Sequence, residues 1–455
     1  MKNSLFFAGM PVFVLVFGIF IIGCGNNDLP KEPDDDPIFS PIYDPSEDTS
    51  LDKIPNVLEG VTFPNEWEAR RYQIRRMMQD EYYGQWRSGE SVSYTIAGNI
   101  LTIKVSHGGN EVQFFATVQV PTTTPPESGY PVILAFGGLG GTLNTREYSL
   151  SKGYANISVP TSGTISAPTN VVASDDNARI GAFYTLYPYG TANTQTGVLM
   201  AWAWGASKVL DALEKGAAAE FNIDASKTII TGTSRNGKAA AVAGAFEERF
   251  KITVPVSSGA GGCAIYRYAS NGQTYDLSKY FSYNGGGSWT VDANNPQSLT
   301  NVQGDSGGGW FNAKFRTYTL DTLPFDQHFL LSLCAAPNRY LFMVNGFEGD
   351  KWTNPPGFFY AFQLTYAVYK LLGIPQNIAV SMHRSQHGFE QEDMVKLIKY
   401  ANFMFYGIRD MTFDFAEEKP VPATWRAFME SLHKTPFSLS VSPENNAIYQ
   451  TGKPR

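Results

Sequence analysis

The chain has 455 residues, 43% of them hydrophobic and 17% charged, so it is globular and long enough for one large domain or two ordinary ones. A net charge of −7 with no basic cluster excludes a nucleic-acid footprint. Aromatic residues reach 14%, which suits core packing and also stacking on sugar rings.

The first 23 residues read as a leader and not as fold. Lys2 supplies a minimal positive start, and Leu5 to Ile22 form an apolar run that ends in Ile21-Ile22-Gly23-Cys24. The run is nearly long enough to span a bilayer as a plain anchor. The small residue before the Cys favours instead a bacterial lipoprotein signal, cleaved before Cys24, which is then lipidated. Residues 24–60 are Pro- and Asp-rich, as in Pro33-Asp34-Asp35-Asp36-Pro37, and read as a solvated tether. This predicts an exported protein on the outer membrane, on its periplasmic or its outer face. The two other cysteines, Cys263 and Cys334, are expected to be separate buried thiols.

Residues 61–455 read as a single domain. Asn65 through Tyr83 predict a helix, with Trp67, Ile74 and Met78 at helical spacing. Ile100–Val105 and Gln113–Val120 predict antiparallel strands. Val132–Phe136 is a continuous apolar run suited to a buried parallel strand, followed by the loop Gly137-Gly138-Leu139-Gly140-Gly141. Ala155–Val159 predicts a strand, Gly197–Gly216 a helix, Thr228–Ile230 a strand, Ala239–Phe250 a helix and Ile252–Ser257 a strand. Residues 259–316 are rich in Gly, Asn, Ser and aromatics and are expected to build a binding face more than core. Strand at 339–344, helix at 357–372, strand at 377–382 and helix at 391–406 complete an α/β order expected of a doubly wound, mostly parallel sheet. No internal repeat, phosphate loop or metal-spaced cluster is evident, and the sequence calls for no cofactor.

Between the strand at 228–230 and the helix after it lies Thr231-Gly232-Thr233-Ser234-Arg235-Asn236-Gly237-Lys238. A strand, a tight Gly-flanked turn with a central Ser and a helix make a serine nucleophile. The turn lifts the hydroxyl above the sheet, and the helix start offers N–H groups to an oxyanion. The usual spacing is G-x-S-x-G; here the second Gly is one place late. A Ser that merely caps a helix is the alternative. A nucleophilic Ser needs a base. Among His107, His328, His383, His387 and His433, the two in Met382-His383-Arg384-Ser385-Gln386-His387-Gly388 follow the last predicted core strand, where this fold places its His. His387, further along the loop, is favoured over His383, which is assigned to packing or substrate contact.

The octapeptide, Ala243-Gly244-Ala245-Phe246-Glu247, Ser258-Gly259-Ala260-Gly261-Gly262, Ala201-Trp202-Ala203-Trp204-Gly205, Trp310-Phe311-Asn312, Leu323-Pro324-Phe325-Asp326-Gln327-His328 and the 384–387 loop occur in order. Together they closely resemble glucuronoyl esterases, carbohydrate esterase family 15. The resemblance runs from about residue 63 to about 408. It implies an α/β-hydrolase fold, a three-layer sandwich around a mostly parallel sheet. It implies an esterase, read as a monomer, acting on esters between 4-O-methyl-glucuronate on xylan and lignin alcohols.

By the same resemblance Ser234 is the nucleophile, His387 the base and Arg235 an oxyanion stabiliser, a role that suits fixed guanidinium donors. Lys238 matches a Lys that bonds sugar hydroxyls, and Trp352 falls where the family has a Trp at the sugar. Gln297 and Asp305 are candidates for a sugar-binding Gln and Glu. Many members place the triad acid immediately before Ser-Gly-Ala-Gly-Gly, but here that residue is Ser257. The sequence offers Asp350 first and Glu348 second, both past the strand at 339–344, where α/β-hydrolases ordinarily carry the acid. Two alternatives stay open: an esterase on another ester such as an acetyl-sugar, and a non-catalytic glycan-binding relative.

Overall fold

The computed structural model describes residues 54–139, 145–161, 171–175, 178–190, 195–269, 274–276, 288–290, 298–304, 307–346, 350–383 and 386–408. Cys24, the leader, most of the tether, Gln297, Asp305, Glu348 and His433 lie outside the described residues.

Pro64 opens a short 3-10 turn, and helix α1 follows over Trp67–Met78, with Trp67, Ile74 and Met78 as its buried residues. Strands Ser91–Ala97 (β1), Ile100–His107 (β2) and Asn110–Gln119 (β3) form an antiparallel meander. β1 has no apolar run to announce it, because every second residue is exposed. The core then alternates: Tyr130–Phe136 (β4), Thr145–Ser151 (α2), Ala155–Val159 (β5), Ala182–Leu186 (α3), Val198–Ala212 (α4), Ala218–Glu220 (α5), Ile223–Thr233 (β6), Arg235–Phe246 (α6) and Ile252–Val256 (β7). Helices Tyr266–Ala269 (α7), Leu299–Gln303 (α8), Gly307–Trp310 (α9) and Gln327–Ser332 (α10), with the hairpin of Thr274–Asp276 (β8) and Ser288–Thr290 (β9), precede Tyr340–Gly346 (β10). Pro355–Leu371 (α11), Ile378–His383 (β11) and Gln391–Tyr406 (α12) end the described chain.

Nine strands form one sheet in the order β1-β2-β3-β5-β4-β6-β7-β10-β11. From β5 to β11 every neighbouring pair is parallel. Strands buried on both faces explain the continuous apolar runs, and their residues alternate between two cores. In β10, Leu341 and Met343 join a cluster with α4, α6 and α11, whereas Phe342 and Val344 join one with α12. Each such side chain contributes about 1.5–3 kcal/mol by leaving water. The fold is therefore the α/β-hydrolase sandwich.

The 259–316 segment differs from its expectation. Cys263, Ile265, Tyr266, Leu299, Val302, Phe311 and Phe315 are buried in the larger core, so part of this segment is structural. Cys263 and Cys334 are both buried and unbridged. Burial pushes the Cys263 thiol up to about 12.

Candidate active site

β6 ends at Thr233, and α6 begins at Arg235, four residues before the expected start. Ser234 joins them with φ 64° and ψ −126°, a left-handed backbone that a non-glycine residue adopts only when its surroundings impose it. Those surroundings are strand β7 and the helix itself: Ser234 N–H donates to the Val256 carbonyl at 2.9 Å, and Lys238 N–H donates to the Ser234 carbonyl at 3.0 Å. The late glycine now has a reason. A Cβ on Gly237 would lie 2.5 Å from the Val256 carbonyl oxygen, and one on Gly232 2.5 Å from that of Asn236. The first turn of α6 therefore packs on β7 at the residue three after the Ser, which shifts the glycine by one. The N–H groups of that first turn have no acceptor inside the helix and face the end of the sheet that carries Ser234.

His387 follows β11, and Asp350 follows β10, at the same carboxyl edge of the sheet. His387 Nδ1 lies 2.9 Å from Asp350 Oδ1; the carboxylate is fully buried and the imidazole 28% exposed. A buried acceptor fixes the ring and leaves Nε2 available for proton transfer. Ser257, where the family resemblance led us to expect the triad acid, has its hydroxyl 3.5 Å from the Gly388 carbonyl. His383 is buried and makes its contacts inward: Nε2 lies 3.2 Å from the same Gly388 carbonyl and 3.6 Å from Asp393 Oδ2. Burial holds the Asp393 carboxyl above the usual carboxylate range, against the pull of His383. Ser257 and His383 thus both reach the carbonyl of the residue that follows His387.

Arg235 is half exposed, and its Nη1 lies 2.6 Å from Asp175 Oδ2. Asp175 Oδ1 accepts from Trp310 Nε1 at 2.9 Å. Lys238 is buried; its ammonium donates to the carbonyls of Ser258 and Ala260, the latter at 2.6 Å, and stands 5.6 Å from the centre of the Trp310 ring. Burial lowers the Lys238 ammonium to about 7. Trp352, 43% exposed, stands with its ring 4.6 Å from that of His387. It is an open aromatic face beside the imidazole.

Sequence reasoning had no signal for Asp175, which lies 60 positions from its arginine (Asp175 to Arg235) with no motif around it. Trp310 belongs to a recognisable stretch, but its link to Asp175 needs the tertiary fold. The other two described histidines are remote in their contacts: His328 is buried with Nε2 3.0 Å from the Pro55 carbonyl, and His107 lies against Tyr187. Burial takes His328 down to about 3, so it is neutral. Among the described residues no group of three or more His, Cys, Asp or Glu converges as a metal site.

A serine in a left-handed strand-to-helix turn, an acid after β10 and a His after the last strand, in that chain order, define an α/β-hydrolase. Residues 103–373 match the family described as glucuronyl esterase, fungi, and the chain belongs to the glucuronoyl esterase family. A multidomain esterase of Ruminococcus flavefaciens is 41% identical over 352 residues, 76% of this chain and 44% of that protein. The 4-O-methyl-glucuronoyl methylesterase of Schizophyllum commune is 32% identical over 338 residues, 73% of each chain. Among solved structures, a carbohydrate esterase family 15 glucuronoyl esterase from Caldicellulosiruptor kristjansonii is 38% identical with a TM-score of 0.68. It is matched over 82% of this chain and 95% of that one. The chain thus spans less than half the length of the Ruminococcus protein.

Proposed function

We propose that this chain is a serine esterase that hydrolyses esters of glucuronic acid or its 4-O-methyl ether, as in links between glucuronoxylan and lignin. The observation that carries this is the 2.9 Å contact between Asp350 and His387, on the sheet edge where Ser234 occupies its strained turn. His387 takes the proton of Ser234, whose oxygen attacks the ester carbonyl of the uronate. Arg235 and the N–H groups opening α6 hold the oxyanion. The alcohol leaves with the proton from His387, and water releases the uronate by the reverse sequence. Lys238 spends two of its three N–H bonds on the Ser258 and Ala260 carbonyls, and the third is assigned to a sugar hydroxyl. Trp352 is assigned to the face of the sugar ring.

The buried partner of His387 argues against a non-catalytic relative, since Ser257 is not needed as the acid. The test is hydrolysis of benzyl glucuronate by residues 25–455 beside Ser234→Ala. Turnover by the parent and none by the variant supports the proposal; cleavage of acetyl esters alone replaces it with the acetyl-sugar reading. We also propose that Cys24 is the lipidated first residue of the exported protein, with residues 24–60 as its tether. Incorporation of a labelled fatty acid into the full chain, lost in Cys24→Ala, is the expected result; no incorporation by the parent, or equal incorporation by the variant, overturns it.

A further inference from the structure

Arg235 opens α6 with a side chain about half exposed, and a guanidinium that free samples many rotamers. An oxyanion donor must already be aimed when charge develops. Asp175, only 12% exposed, is ion-paired through one oxygen with Arg235 Nη1 at 2.6 Å and accepts from Trp310 Nε1 at 2.9 Å on the other. Trp310 is held in turn. Arg179 donates to the carbonyls of Gly309 and Phe311, on either side of Trp310, and stacks 4.3 Å from the Tyr189 ring. Arg179 has φ 53°, so the local backbone is held in an uncommon form to make these contacts. The Trp310 ring also meets the Lys238 ammonium, 5.6 Å from its centre.

We propose that Asp175 is a positioning residue that aims the Arg235 guanidinium at the oxyanion, with Trp310 as its anchor. The pair joins the arginine beside the nucleophile to Lys238 through a single indole. One Nη1 hydrogen faces Asp175, so the other Nη1 hydrogen, Nε and Nη2 are the donors left to face the ester. This inference rests on the oxyanion role of Arg235 proposed above.

The test is a double-mutant cycle between Asp175→Asn and Arg235→Ala, measured on benzyl glucuronate and on 4-nitrophenyl acetate. The second ester needs the same oxyanion donors but no uronate. Asp175→Asn is expected to lower kcat about tenfold with KM within about twofold, and Asp175→Glu to recover part of the loss. In the Arg235→Ala background Asp175→Asn is expected to change kcat less than about twofold. An unchanged or raised kcat in Asp175→Asn, or a loss of equal size with and without Arg235, overturns the proposal. Where Asp175→Asn does not fold, Trp310→Phe removes the anchoring donor and keeps the ring. Its expected loss is about threefold in kcat, absent without Arg235, and a loss of equal size in both backgrounds overturns the proposal. A parent that cleaves only the acetate fails the glucuronate reading, while the cycle still tests Asp175; a parent that cleaves neither ester overturns both.

Discussion

Asp350 and His387 come from loops after two adjacent parallel strands, and their side chains meet at 2.9 Å with the carboxylate fully buried. Asp350→Asn keeps the shape and removes the charge that stabilises an imidazolium. Its kcat on benzyl glucuronate is expected to fall by about 10³–10⁴, the scale of losing a triad acid. A loss under tenfold would exclude Asp350 as the acid and turn attention to Glu348.

Ser257 has φ 43°, a conformation that Asp and Asn tolerate better than most residues. An acid placed there stands where the family resemblance expects the triad acid. Ser257→Asp in the Asp350→Asn background is expected to recover about tenfold or more in kcat. No recovery would mean that the Ser257 side chain cannot reach the imidazole.

Gly237 packs its Cα against β7, with the Val256 carbonyl oxygen 2.5 Å from where a Cβ would sit. Backbone cannot yield as a side-chain tip does. Gly237→Ala is expected to cost about 1–3 kcal/mol in chemical unfolding and to lower kcat by displacing Ser234. Wild-type stability in this variant would sink the packing account of the displaced glycine.

Trp352 offers its open face next to His387. Trp352→Ala is expected to raise KM for benzyl glucuronate about three- to tenfold, the scale of one aromatic stacking contact, and to leave that for 4-nitrophenyl acetate within about twofold. Equal effects on both esters would assign Trp352 to holding His387 and not the sugar.

Burial lowers Lys238 to about 7. Between about 7 and its ordinary value near 10.5 the unfolded chain binds one more proton at this residue than the folded chain. The folded state therefore carries a penalty below pH 7 that lifts as pH rises through this window, by at most about 1.4 kcal/mol per pH unit. The stability of Lys238→Met, measured by chemical unfolding at pH 6.5, 7.5 and 8.5, is expected to climb less steeply than the parent's. Parallel curves would mean that the carbonyls of Ser258 and Ala260 keep the ammonium at its usual value.

Much of the parallel core was legible because its signals are local. The run at 132–136 is apolar throughout, those at 155–159 and 252–256 are broken only by Asn156, Ser158 and Thr253, and all three are strands with nearly every residue buried. Helix α12 has the expected bounds, Gln391–Tyr406. β1 was not legible, because its exposed residues break the apolar run. The 259–316 segment misled because glycine- and serine-rich composition hides the buried Cys263, Tyr266 and Phe311.

By itself the sequence determined the turn at Ser234, the helix that follows it, and the placing of His387 past the last strand. Each depends on residues within a few positions of one another, where steric and hydrogen-bonding rules act directly. The tertiary structure decided that Asp350 and not Ser257 meets the His387 ring, that Lys238 turns its ammonium to the Ser258 and Ala260 carbonyls, and that Asp175 pairs with Arg235. These contacts join residues 20 to 60 positions apart, and only the packing of the sheet and its loops sets such distances to within a hydrogen bond.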